Sequence, residues 1–296
     1  MSNLIVHVLE YSKMGQVNGG AMDEMTQAAR AAGLVAKWCA KRDVSTLSQD
    51  SLRAEAGLPD GKADLFVLFG GGVTGTVETL AAAMRADVAR RYAIVGGRGH
   101  ATYWLDQTFG RLREHDEMPP EPGAASEAEM LDALLFARYG LHADLLETHS
   151  TNCGNNITYL LDLLEGEGCL PASVILCQDA VMQRRMDVTW QRQVMDRPSF
   201  AATRVLNWPA YEAELACEGD ELVWRQAPEG IWPMDVYLQL LLGEVARLTD
   251  DEDGYGPRGR DYVVHMDVPE EVREAAALLR VACGESGRAP DERFSG

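Results

Sequence analysis

Short apolar runs that end in glycine or small polar residues alternate with stretches of helical spacing along most of this chain. The clearest run is LFVLF at 65–69, which passes into Gly70-Gly71-Gly72-Val73-Thr74-Gly75-Thr76 and then a predicted helix from 77 to about 90. The order repeats at 92–95, followed by Gly96-Gly97-Arg98-Gly99-His100 and a helix through Trp104, Leu105, Thr108 and Leu112. A third unit runs from a strand at 143–147 through the polar loop 148–156 to a helix at 157–164. A fourth runs from the buried strand VILC at 174–177 through Gln178-Asp179 into a helix from about 180 to 195, and 200–208 reads as a further strand. Apolar runs of this length bounded by turn residues fit buried strands, and apolar positions three and four apart fit helices packed on them. Strand–helix alternation predicts a parallel sheet whose connections all turn the same way. The loops after Phe69, Val95, Glu147 and Cys177 are therefore expected to converge at one sheet edge, where open α/β sheets bind ligands.

The rest of the chain frames those units. Residues 1–20 are ambiguous, since LIVHVLEY reads as a strand and GQVNGG as a turn, while 23–40 and 48–56 read as helices. Three prolines within 114–123 mark a loop, and it delivers Ser126 and Glu129 in the spacing of a capping box. An acidic stretch at 209–230 has room for a short strand at 222–224; Trp232-Pro233 then opens a helix, and a last amphipathic helix covers 269–281. The resulting expectation is an α/β fold, a Rossmann-like parallel sheet flanked by helices with a smaller C-terminal helical lobe. Residues 1–60 form a helical extension on the core, 61–209 the α/β domain, 210–283 the lobe completing the cleft, and 284–296 a flexible tail.

Composition changes this picture in three ways. Twenty-seven basic against forty-six acidic residues leave a formal charge of −19, which argues against a general nucleic-acid or anionic-membrane surface. No apolar run reaches the ~18 residues needed to span a bilayer, and the opening MSNLIVHVLEYSKMG lacks a secretory pattern, so a cytoplasmic protein with no membrane span is expected. The six cysteines form no CxxC pair and do not cluster with the histidines, so no metal is expected.

The candidate chemistry sits in the loops. Glycines before a helix amino terminus either let backbone N–H groups cradle a phosphate or carboxylate, or simply make a tight turn. The order fits neither a P-loop nor a dinucleotide fingerprint. Arg98 and His100 add a cation and a titratable donor; Glu127, beside the capping box, either serves the helix or faces the cleft. Loop 148–156 supplies Ser, Thr and Asn groups suited to hydroxyls, amides or a ribose, and Cys153 has no evident base partner. Asp179 is placed to cap the next helix, whose first turns carry Gln183, Arg184 and Arg185. In DDEDGYGPRGRD at 250–261, Arg258 and Arg260 either fold over the cleft as an anion clamp or pair with Asp250, Asp251 and Asp253; the acidic order does not fit a calcium loop. No Ser-His-Asp set emerges, so no reaction is assigned.

Taken together, HSTNCGNN (149–156), QDAVMQRRM (178–186), Trp232-Pro233 and DGYGPRGRDYVVHMDVP (253–269) resemble the YdcF branch of the bacterial family that includes SanA and ElyC. The resemblance runs from about residue 63 to the helix after Pro269. It implies a Rossmann-like domain with a small helical lobe that binds S-adenosyl-L-methionine, with no established reaction. Carried over by motif, the implied contacts are Gly70, Gly71, Gly72, Gly96, Gly97, His100, Glu127, Ser150, Asn152, Asn156, Gln178, Asp179, Gln183, Arg184 and Arg185. One departure is Asn155, where the family pattern has an acidic residue, so a role needing that carboxylate is in doubt here. The expected partner is a small adenosyl- or nucleotide-like ligand; the alternative is an envelope-related factor working through protein partners.

Overall fold

A computed structural model describes residues 18–114, 125–219 and 221–283. The strand expected near the amino terminus and the tail expected after Cys283 lie outside them. Five strands form one all-parallel sheet in the order β3-β2-β1-β4-β5: β1 (Ala63–Phe69), β2 (Ala89–Val95), β3 (Leu145–Glu147), β4 (Ser173–Cys177) and β5 (Arg204–Asn207). The chain builds outward from β1 to β3, then returns to the other side of β1 for β4 and β5. The order therefore reverses between β1 and β4, which makes their carboxyl ends the topological switch point.

Both faces of the sheet are covered, which is why β1 and β4 read as unbroken apolar runs. Leu65, Val67 and Phe69 point to one face and pack with Ile157, Leu160 and Leu164 of α6 (Cys153–Gly166) and with Met186 and Trp190 of α7 (Gln183–Met195). Phe66 and Leu68 point to the other face, into a larger core. Strand period two makes the division. That second core holds α1 (Asn18–Cys39), α2 (Gln49–Ala54), α3 (Thr76–Arg85), α4 (Thr102–Glu114), α5 (Glu127–Tyr139), α8 (Met234–Leu248) and α9 (Glu270–Cys283). Helix α1 packs against α8 and α9, so the two ends of the chain share one layer.

Several element boundaries differ from the sequence expectation. The strand expected at 200–208 is confined to Arg204–Asn207, because Pro198–Phe200 form a 3-10 turn before it. Helix α3 stops at Arg85 instead of about residue 90, because Asp87 turns the chain with a φ of 54° and β2 begins at Ala89. Arg90 and Arg91 disguise that strand, and Arg90 satisfies its charge against Asp60 and Asp64 at the sheet margin. Helix α6 starts at Cys153, four residues early, because the Asn152 side chain caps it by accepting from the Asn155 N–H at 3.0 Å. Helix α7 starts at Gln183 rather than 180, after a turn in which Asp179 Oδ1 accepts from the Val181 N–H and the Asp179 carbonyl from the Met182 N–H.

The acidic stretch forms a separate antiparallel hairpin, β6 (Glu214–Glu218) and β7 (Glu221–Gln226), with β6 against α1. Its polar faces obscured β6 in the sequence. Among the described residues no helix is long and apolar enough to cross a membrane.

Candidate functional site

The four loops meet at the carboxyl edge of the sheet. Gly70 N donates to the Val95 carbonyl at 2.6 Å, Gly96 N to the Glu147 carbonyl at 2.9 Å, and Gly97 N to Ser150 Oγ at 3.2 Å. Gln178, from the fourth loop, lies beside Gly71.

The glycines divide between two jobs. A Cβ on Gly70 would stand 2.6 Å from Glu127 Oε2, one on Gly96 3.1 Å from Glu127 Cβ, one on Gly97 2.3 Å from the Ser150 carbonyl, and one on Gly72 2.5 Å from the Trp232 ring. Those four positions are glycine so that protein can pack there. At Gly71 the nearest atom to such a Cβ is Gln178 Oε1 at 3.9 Å, so this residue leaves the crevice between β1 and β4 open.

Beneath Gly70 and Gly96 lies Glu127, the first residue of α5. Its neighbour Ser126 forms the expected capping box with Glu129. Glu127 has backbone bonds of its own, its N–H donating to the Gly97 carbonyl, and its Oε1 accepts from Thr102 Oγ1 at 2.6 Å. Burial pushes its carboxyl up to about 7, against the opposing pull of the Thr102 hydroxyl and Arg98. Arg98 is committed to the Ala125 carbonyl at 2.7 Å and to Asp106 Oδ2 at 2.6 Å. His100 stands half-buried just before α4.

In the third loop the buried Glu147 carboxylate accepts from the His149 and Ser150 N–H groups, at 2.6 and 3.1 Å, which sets Ser150 under Gly97. Asn152 caps α6. Asn156, in its first turn, is buried, and its side-chain amide takes no hydrogen-bond partner among the described residues. Cys153 lies 3.9 Å from Met182 Sδ, and burial raises its pKa, so it rests as a thiol without a base.

The fourth loop is mostly bracing. Gln183 is fully buried; its Oε1 accepts from Gln178 N at 2.8 Å, and its Nε2 donates to the Leu176 carbonyl and to Asn207 Oδ1. Asp179 is 1% exposed and accepts from Tyr211 at 2.7 Å, Trp232 Nε1 at 2.8 Å and Val181 N. Burial raises its pKa, with the Tyr211 and Trp232 bonds pulling the other way. This carboxylate ties the lobe to the sheet edge. Gln178 gives its Oε1 to Asp179 N, while its Nε2 has no partner among the described residues.

Arg184 and Arg185 diverge, as neighbours about 100° apart on a helix must. Arg184 Nε donates to the Trp38 carbonyl at 2.5 Å and the guanidinium lies 4.9 Å from that indole, fastening α1. Arg185 turns to the lobe, where its Nε meets Glu244 Oε2 at 2.7 Å; the other oxygen of Glu244 faces Arg247 Nη1 at 3.3 Å. The start of α7 adjoins the start of α6, where Met182 touches Cys153. Two guanidinium groups thus share one fully buried carboxylate beside a helix amino terminus. The terminal nitrogens of Arg185 and Nη2 of Arg247 take no partner among the described residues. Such a cluster is net cationic and suits an anionic group.

Glu244 and Arg247 are not among the candidates legible in the sequence, because the apolar spacing of α8 reads as a core helix. The signal was a glutamate on the face carrying Leu240, Leu241, Val245 and Leu248, where an unpaired charge would be costly. The Arg258 and Arg260 side chains form no ion pair with Asp250, Asp251 or Asp253. Both are exposed, and Asp250 accepts instead from His265 Nδ1 at 2.6 Å and the Arg258 backbone N–H at 2.8 Å. Among the described residues no group of three or more His, Cys, Asp or Glu side chains is arranged to hold a metal. No family model matches this chain, and the resemblance stated above rests on the quoted motifs.

Proposed function

We propose that this chain is a YdcF-like small-molecule-binding protein that holds S-adenosyl-L-methionine, or a related adenosyl or nucleotide ligand, in the crevice between β1 and β4. The observation that carries the proposal is the Arg185–Glu244–Arg247 cluster on the first turn of α7, which adjoins the start of α6 through Met182 and Cys153, beside a switch point that Gly71 leaves open. A carboxylate or phosphate of the ligand takes the free guanidinium donors and the orphan N–H groups of α6. The side-chain amide nitrogens of Asn156 and Gln178, which have no partner among the described residues, suit hydroxyl or ring-nitrogen acceptors. No group transfer is assigned, since Cys153 lacks a base and Glu127 lies under the glycines rather than in the open crevice.

The test is a calorimetric and thermal-shift screen against S-adenosylmethionine, S-adenosylhomocysteine, nucleotides and sugar nucleotides. Micromolar affinity corresponds to about −8 kcal/mol and gives a measurable heat. Ligand at 100 times its Kd stabilises the native state by about 2.7 kcal/mol. Neither heat nor shift with any of these at millimolar concentration refutes the proposal.

A further inference from the structure

A cavity of about 510 Å³ lies between α4 and the segment running from β7 into α8, and Trp104 and Trp232 separate it from Gly72. That is within the ~300–1,000 Å³ range of small-molecule pockets. Its walls hold three of the chain's six tryptophans, Trp104, Trp224 and Trp232, together with Tyr103. The indoles are braced from outside the cavity or by one another. Trp232 Nε1 is held by Asp179, Trp224 stands edge-on to Tyr237 at 4.7 Å, and Trp104 edge-on to Trp232 at 6.3 Å. In a core such rings would fill the space they enclose; here they bound an open volume, and Tyr103 at its mouth is 61% exposed.

Arg111 supplies the charge at this cavity. It lines the cavity and donates Nη2 to Thr108 Oγ1 at 3.1 Å, and among the described residues it faces no carboxylate, in a chain of net charge −19. Braced aromatic faces beside a guanidinium that pairs with no carboxylate among the described residues recognise a flat ring with a negative substituent, through stacking on one part and a charge-assisted hydrogen bond on the other. We infer that this cavity is a second ligand site, for a planar aromatic molecule bearing one anionic group that pairs with Arg111.

Three probes test this by calorimetry: indole-3-acetate, its uncharged analogue indole-3-acetamide, and the non-aromatic acid cyclohexylacetate. The parent protein is expected to bind the aromatic acid, with the amide and the cyclohexyl acid each weaker by about tenfold or more, the worth of one charged hydrogen bond or of the stacking. Arg111→Gln should bring the acid down to the level of the amide, and Tyr103→Ala should weaken both indoles. Both residues are exposed, so these variants should melt with the parent. The inference is overturned if indole-3-acetate gives no heat at millimolar concentration, if the parent binds acid and amide equally, or if Arg111→Gln keeps the preference for the acid.

Discussion

Replacing Glu127 by Gln isolates the cost of a buried ionisation. In the native chain Glu127 is 6% exposed, with one hydroxyl donor on its carboxylate, and its pKa stands at about 7 against an ordinary 4.5. Each pKa unit is worth about 1.4 kcal/mol, so a rise from 4.5 to about 7 amounts to about 3 kcal/mol. The sign follows from proton binding. Between pH 4.5 and about 7 the folded protein holds a proton on this group that the unfolded chain has released, so stability falls as pH rises through that window and levels off above it. Glutamine keeps the shape and an oxygen for Thr102 Oγ1 but cannot ionise. Urea unfolding of parent and variant at pH 4.5, 5.5, 6.5 and 8, at constant ionic strength, should show the variant gaining on the parent by about 3 kcal/mol across the series. Melting temperatures should separate by about 6 °C, at roughly 2 °C per kcal/mol for a chain of this size. The other carboxylates contribute equally to both proteins and cancel in the difference. A difference that stays constant with pH, or one that shrinks as pH rises, would refute the reasoning.

Three further outcomes follow from the geometry. Arg185→Ala should weaken binding of the crevice ligand by about 1.5–3 kcal/mol, while Arg184→Ala, which loses only its hold on Trp38, should bind as the parent does; calorimetry that finds both variants unchanged rejects the cluster as the anion site. Trp232→Phe keeps most of the buried area but removes one of the three donors to Asp179, so denaturant unfolding should lose about 1.5–3 kcal/mol, and a loss below 0.5 kcal/mol would show the tie to be idle. Gly71→Ala should fold within about 0.5 kcal/mol of the parent yet bind ligand more weakly, whereas Gly97→Ala, whose Cβ would meet the Ser150 carbonyl at 2.3 Å, should lose well over 1 kcal/mol; equal melting temperatures for the two variants would contradict that division.

The α/β class, the four strand–loop–helix units and the single edge on which their loops meet were all legible in the sequence. Each of those follows from short-range information: apolar run length, glycine at strand ends, and the one-handed crossover that parallel strands require. The sequence also placed the capping box at Ser126, since that depends on spacing within a helix. Its errors at Arg90, Cys153 and Gln183 came from charged residues inside a strand, from the Asn152 cap and from the turn that Asp179 closes before α7.

Tertiary structure decided what the candidate residues do. Run of glycine alone does not say whether its missing side chains make room for ligand or for protein; only the approach of Glu127, Ser150 and Trp232 assigns Gly70, Gly72, Gly96 and Gly97 to packing and leaves Gly71 open. Asp179 and Gln183 became braces because Tyr211, Trp232 and Asn207, from 24 to 53 positions away, satisfy them. Arg185 became part of a cationic cluster because α8 returns Glu244 to it across 59 positions. Periodicity registers a residue's own surroundings along the chain, whereas a partner tens of residues distant is chosen by how helices pack on the sheet.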